Sequence, residues 1–312
     1  MKKLRILLAL TVVLAILAPV GAMAEGYNFG FVIGTLNNPF CIYLENTLRA
    51  LVEADGNTMT SCDANYDQNN QLTQIDDLIT TGIDAIFLCP VNFEGVRSGI
   101  DNLNAAGVRI INFDTPVAQA DQAFVDVIVK NDNRLSGYSV GADVASRYPD
   151  GCKIAIIDDA KATSVIERVD GFFEGLGNKD KYTIVSQLSG EGTLDKAMDI
   201  ADAVLQANPD VNVFFTGNDT MALGVTASIK AAGMQKNRIL VYGVDGSPDA
   251  KAAIRDGEMT GTGAQSPGTI AEKCYEVALK ILKDEPFDRL ILTDSWLINA
   301  QNVETFGFDN WQ

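Results

Sequence analysis

Asn28-Phe29-Gly30-Phe31-Val32-Ile33-Gly34-Thr35-Leu36-Asn37-Asn38-Pro39-Phe40 holds the pattern that decides the fold. The apolar run Phe29–Ile33 reads as a strand buried on both faces, because a half-exposed strand would alternate with polar residues. A polar turn follows, and Asn38-Pro39 supplies a capping side chain with proline at the first helical position. The same unit recurs. Apolar runs return at Thr58–Cys62, Ala85–Cys89 and Val108–Phe113, then at Lys153–Ile157, Thr183–Leu188, Val211–Phe215 and Ile239–Val244. Successive runs start roughly 25–30 residues apart, one strand plus one helix. Helix-period segments lie between them at Pro39–Ala54, Gln71–Thr81, Val165–Leu176, Leu194–Gln206 and Met221–Ala232, and Gly56, Gly82, Gly107 and Gly233 fall at helix ends. The pattern predicts an α/β chain of two doubly wound, Rossmann-like lobes with parallel sheets. The 312 residues suffice for two such cores.

The leading residues read differently. Lys2, Lys3 and Arg5 precede an apolar stretch from Ile6 to Val20, and Ala22-Met23-Ala24 offers a small-x-small cleavage site, so 1–24 is read as a signal peptide. The apolar stretch is shorter than the ~20 residues of a bilayer span, which disfavours an uncleaved anchor. No cysteine stands at the cleavage point, so the mature chain is expected to be soluble and periplasmic. Losing Lys2, Lys3 and Arg5 takes the net charge from −17 to −20. That sign argues against nucleic acid and anionic membrane surfaces as partners. Histidine is absent and no C-x-x-C occurs, which leaves a zinc site short of ligands and excludes a Ser-His-Asp triad. The five cysteines, Cys41, Cys62, Cys89, Cys152 and Cys274, cannot all pair, and one disulfide remains open. Gly261-x-Gly263 opens no phosphate loop, and no cofactor is expected.

In doubly wound sheets ligands bind outside the carboxyl ends of the strands. The loops to search are therefore Thr35–Cys41, Pro90–Glu94, Asp114–Pro116, Asp158–Arg168, Gly217–Thr220 and Asp245–Pro248. Asp114 and Asp245 each end a strongly apolar run, one per half, where a carboxylate can accept two hydroxyl protons; a turn or cap role is the other reading. Arg168 stands four residues after Ser164 in the first turns of a helix, placed to fork to two hydroxyls or to pair with Glu167 or Asp170. Among Asn218, Asp219 and Thr220, one residue must cap the next helix. Gln265 follows Met259–Ala264, where the chain can cross between lobes. Carboxylate-pair hydrolysis by Asp114, Glu191 and Asp245 is the enzymatic alternative.

Thr35-Leu36-Asn37-Asn38-Pro39-Phe40, Asn218-Asp219-Thr220-Met221-Ala222-Leu223-Gly224 and Gly243-Val244-Asp245-Gly246-Ser247-Pro248-Asp249 resemble, in order, the ribose-binding members of the type I periplasmic binding protein family. These are substrate-binding components of ABC sugar importers. The resemblance implies two lobes joined by three hinge segments, near Lys130–Asp132, Ala264–Ser266 and Leu292–Asp294. It divides the chain into a first lobe of 25–131 plus 266–293 and a second of 132–265 plus 294–312. It implies ligand contacts at Asn38, Phe40, Asp114, Arg168, Asn218, Asp245 and Gln265. It also implies a monomer that closes on a sugar or polyol and docks on a membrane permease; a ligand-sensing receptor for chemotaxis or quorum signalling is the alternative within binding proteins. Three positions depart from the ribose pattern. Cys41 replaces a second aromatic after Phe40, Thr115 replaces an arginine after Asp114, and the loop Gly190–Thr193 lacks an aromatic. Phe93 is expected to replace one ring and Asn92 to add a polar contact, with ordinary loop packing as the other reading.

Overall fold

The computed structural model describes residues 26–234 and 238–311; the signal-peptide expectation, 1–24, lies outside the described residues. The chain begins β1 (Asn28–Ile33), α1 (Pro39–Ala54), β2 (Thr58–Asp63), α2 (Gln68–Thr80), β3 (Ala85–Leu88), α3 (Arg97–Ala105), β4 (Arg109–Phe113) and β5 (Val127–Asn131). It continues α4 (Asn133–Arg147), β6 (Lys153–Asp158), α5 (Thr163–Gly175), β7 (Thr183–Ser189), α6 (Leu194–Ala207), β8 (Val213–Thr216), α7 (Asp219–Ala231), β9 (Leu240–Asp245), α8 (Pro248–Arg255) and β10 (Gly261–Ala264). It closes with α9 (Pro267–Leu282), β11 (Leu290–Thr293) and β12 (Trp296–Asn299). One sheet runs β11-β5-β4-β3-β1-β2 and the other β12-β10-β9-β8-β6-β7, so the two halves repeat one strand order.

Each sheet is covered on both faces. Phe29, Phe31 and Ile33 of β1 face α1 and α9, while Val32 faces Ile75 of α2 and Ile100 of α3. In the second lobe Ala155 and Ile157 of β6 pack with α6 and α7, and Ile154 and Ile156 with Val140 of α4 and Phe172 of α5. Burial on both faces is why these strands read as unbroken apolar runs. The expected helix starts hold, with Asn38 accepting from the Phe40 amide at 2.9 Å. The second helix begins earlier than its apolar period suggests, because Asp67 caps it by accepting from the Asn69 and Asn70 amides.

The chain passes between the sheets after β5, after β10 and after β11. β5, β10 and β11 all run toward this junction, whereas β12 starts from it; β12 therefore pairs antiparallel with β10, and the second sheet is mixed where a purely parallel one was expected. A chain of side-chain bonds ties the crossings together: Asn131 Nδ2 donates to Ser136 Oγ at 2.8 Å, Ser136 meets Ser295 at 2.6 Å, and Ser295 donates to the Ala264 carbonyl at 3.0 Å. The residues after β12, expected with the second lobe, reach the first at their end. There Trp311 meets Phe40 and Tyr43 of α1, because α8 carries the preceding residues to the lobe boundary.

α4 and α5 pack backbone to backbone. Gly137-x-x-x-Gly141 faces Gly171-x-x-x-Gly175, and a Cβ on Gly137 would lie 1.8 Å from the Arg168 carbonyl oxygen. Glycine is required there by close approach of two main chains. Gly137→Ala is expected to lower the unfolding free energy by about 2–3 kcal/mol, seen as a lower urea midpoint at unchanged slope. Gly268→Ala in α9, whose new Cβ meets only Tyr43 at 3.6 Å, should leave the midpoint unchanged or raise it.

Candidate functional site

Between the lobes lies a cavity of about 120 Å³, roughly ten times what a single water needs on the same measure. Its lining comes from loops at the carboxyl ends of strands in both sheets. From the first lobe come Asn38, Phe40 and Cys41 after β1, Tyr66 after β2, Cys89 after β3 and Asp114 and Thr115 after β4. From the second come Ser164 and Arg168 at the start of α5, Gly192 after β7, Asn218 after β8 and Asp245 after β9. Gln265 enters from the crossing that follows β10. β1 and β6 are the strands at which each sheet reverses its order of growth, so the cavity sits on both topological switch points.

Arg168 is buried, and its guanidinium is held by named partners. Nε donates to Asn133 Oδ1 at 2.9 Å and Nη1 to the Gly217 carbonyl at 2.7 Å, with Asp245 Oδ1 3.7 Å away. The pairing with Glu167 or Asp170 weighed from sequence is not made: Glu167 takes Lys130 and Asp170 takes Arg134. Nη2 has no hydrogen bond among the described residues, and Arg168 lines the cavity. Asp245 Oδ1 also accepts from Gln265 Nε2 at 2.8 Å. That leaves Gln265 Oε1 buried without a donor, and Asp114 Oδ1 is in the same condition. Buried acceptors without donors are costly and rare.

Both aspartates hold φ values of the left-handed half of the map, 57° at Asp114 and 144° at Asp245. Such backbone costs on the order of 1–3 kcal/mol per residue and persists where the surroundings force it. At Asp245 the enforcing group is Asp219, which accepts from the Ser247 amide at 2.8 Å and from Thr262 Oγ1 at 2.7 Å. Asp219 is thus a brace for the loop. Burial raises the Asp114 carboxyl above its usual range, against the lowering effect of Arg168. Asp245 is pushed up in the same way, by burial first, with Arg168 opposing and the Asp219 charge adding.

The remaining expected residues divide. Asn38 and Asn218 line the cavity while capping helices, Asn218 by accepting from the Met221 amide at 2.8 Å and donating to the Gly192 carbonyl at 3.1 Å. Thr115 lines the cavity, but its hydroxyl meets Ser164 of the other lobe at 2.9 Å, so it joins lobes. Cys41 faces the cavity as a free thiol, raised in pKa by burial, as all five cysteines are free. Asn92 and Phe93 lie outside the lining. Asn92 Oδ1 accepts from the Glu94 amide within its own turn, and the Phe93 amide reaches the Lys161 carbonyl at the lobe boundary. The ring expected from Phe93 comes instead from Tyr66, which follows Asn65 with both residues at φ of 50–58°. The adjacent Asn65-Tyr66 offers a turn signal, since asparagine tolerates that conformation, but nothing local aims the ring. Glu191 pairs with Lys196 outside the lining, which removes it from any carboxylate pair.

Thr163 Oγ1 donating to the Pro116 carbonyl at 2.5 Å and Lys130 meeting Glu167 at 2.5 Å add further bonds across the lobes. The arrangement is therefore closed over the cavity. No helix of the described residues is long and apolar enough to cross a membrane, and no cluster of three or more His, Cys, Asp or Glu among them could hold a metal ion.

Residues 29–286 match the family described as periplasmic binding protein domain. The chain is 30% identical over 302 residues to the ribose import binding protein RbsB of Salmonella typhimurium, covering 96% of this chain and 99% of that one. It is 29% identical over 265 residues to RbsB of Bacillus subtilis, 85% of each. A solved ABC transporter solute binding protein of Mycobacterium smegmatis with bound glycerol superposes with a TM-score of 0.86 at 28% identity, over 92% of this chain and 99% of that one.

A carboxyl whose folded pKa lies above its unfolded one favours folding fully at pH below the unfolded value, ~3.9 for aspartate, and that contribution is lost as pH rises through the folded value. The unliganded protein should therefore lose thermal midpoint relative to Asp245→Asn as pH is raised from about 4 toward neutrality. Parallel midpoint profiles would show that Asp245 carries no such burden.

Proposed function

We propose that this chain, which belongs to the periplasmic binding protein family, captures a neutral sugar or polyol between its lobes and delivers it to the permease of an ABC importer. It acts by binding, with no catalytic step. The observation that carries the ligand class is that two of the buried acceptors without donors, Asp114 Oδ1 and Gln265 Oε1, belong to residues lining this cavity. Asp245, which accepts from Gln265 Nε2 through Oδ1, lines the same cavity. Vicinal hydroxyls donate to such a set and accept from Arg168 Nη2, while Phe40 and Tyr66 offer rings to the CH faces. Two carboxylates against one guanidinium disfavour an anionic ligand. The names of the relatives agree, one as a ribose import protein and one with glycerol bound.

Asp114 belongs to one lobe and Arg168 and Asp245 to the other, so a solute touching all three binds the closed form better than the open. Only that difference in affinity drives closure. Cys41 and Thr115 depart from the ribose pattern, so ribose is one candidate among the sugars and polyols of the class. Cleavage of the expected signal peptide, 1–24, would release this activity into the periplasm.

A thermal-shift panel of D-ribose, D-allose, D-galactose, myo-inositol and glycerol, with D-gluconate as the anionic member, tests the class. A true ligand at 100 times its Kd adds ~2.7 kcal/mol of stability, and a shift confined to gluconate overturns the neutral reading. By titration calorimetry with the compound that shifts most, Arg168→Ala and Asp245→Ala should each weaken binding by ~1–3 kcal/mol. Unchanged affinity would remove those residues from the site.

A further inference from the structure

The segment after β12 does more than finish the second lobe. Phe306 stacks on Trp296 at 6.1 Å between ring centres, and the Arg255 guanidinium lies 4.7 Å over the Phe308 ring. The segment thus runs back along α8 toward its amino end. Lys251, a fully buried lysine of α8, donates from Nζ to the Asn310 carbonyl at 2.6 Å. Burying an ammonium is costly unless it is hydrogen-bonded, and here it bonds a loop carbonyl. The next residue leaves the second lobe altogether: Trp311 meets the Phe40 ring edge to face at 5.6 Å and Tyr43 at 6.1 Å. Phe40 is also a wall of the cavity. Phe40 thus borders the solute space and is also backed by a group anchored on the opposite lobe.

We propose that Trp311 is a positioning residue of the cleft: held at Asn310 by Lys251, it forms a link between the lobes beyond the three crossings, favours closure and fixes Phe40. The three crossings permit rotation, because they join at one junction. A contact between α8 and α1 through Trp311 has to separate when the lobes part. Its loss shifts the open–closed balance even without a solute. The inference rests on the opening proposed above, but not on which sugar binds.

Iodoacetamide labelling of the full unliganded chain, read by peptide mass spectrometry at fixed pH, reports the opening. Cys41 faces the cavity, Cys274 lies in the first-lobe core and Cys152 lies on the second lobe. Opening exposes Cys41 while leaving the other two as they were. In Trp311→Ala, Cys41 should react roughly three- to ten-fold faster than in the wild type, the factor that one edge-to-face ring contact supplies. Cys274 and Cys152 should keep their rates, and Trp311→Phe should return Cys41 to within about two-fold. Lys251→Met, which removes the other end of the link, should act like Trp311→Ala. Equal Cys41 rates in wild type and both variants overturn the link while leaving opening intact. Cys41 as unreactive as Cys274 in every variant overturns opening itself, and the link with it. Acceleration of all three cysteines together assigns Trp311 to general stability and overturns a positioning role.

Discussion

Two helices touching through glycine set the geometry on which the site depends. The Gly137 and Gly141 face of α4 meets the Gly171 and Gly175 face of α5 with no side chain between. That approach lets Asn133, at the start of α4, accept from Arg168 of α5 at 2.9 Å. The guanidinium is thereby oriented from two sides before any solute arrives, with Gly217 taking Nη1. A side chain as long as arginine would otherwise lose much rotamer freedom on binding, of order 1.5–2 kcal/mol. Most of that loss is met during folding.

Against this one fixed cation stand carboxylates that are far less comfortable. Asp114 and Asp245 combine strained backbone with burial, and each is raised in pKa by the lack of solvent. Under the proposed function, their discomfort in the closed arrangement is what a hydroxyl-rich solute would relieve. Asp219 shows the cost of holding such a loop, since it is itself buried and pushed up by burial while bonding Ser247 and Thr262. Cavity-lining and bracing residues are largely different sets here, although Asn38 and Asn218 belong to both through their caps.

The repeated strand-helix rhythm was legible because doubly covered strands show unbroken apolar runs, and the cavity loops followed from strand ends. What escaped had a physical reason. β10, Gly261-Thr262-Gly263-Ala264, carries no apolar signature, since Gly263 must lie against the Ser136 carbonyl of α4, where a Cβ would come within 2.9 Å. α4 hides for the matching reason, because glycine and serine alternate with its few apolar residues on the buried face. Asp114, Arg168, Asp245 and Gln265 stand at positions visible from pattern and resemblance, and all line one cavity. Tyr66 was not visible, because its ring reaches the cavity through two consecutive left-handed residues rather than through any periodicity. Phe93 misled because loop aromatics of similar sequence context can face either way.

The late arrival of α9 and β11 in the first lobe bears on how the polypeptide reaches this shape. Tyr275 of α9 joins a core begun by Phe29 of β1, and its hydroxyl accepts from Asn57 across 218 residues of chain. Neither sheet receives its sixth strand until the whole second half has been made. Contacts of such long range slow collapse and withhold a finished core from a nascent chain. Ribosome-bound intermediates of this protein would thus keep the amino-terminal portion incomplete, and both lobes would acquire cooperativity together.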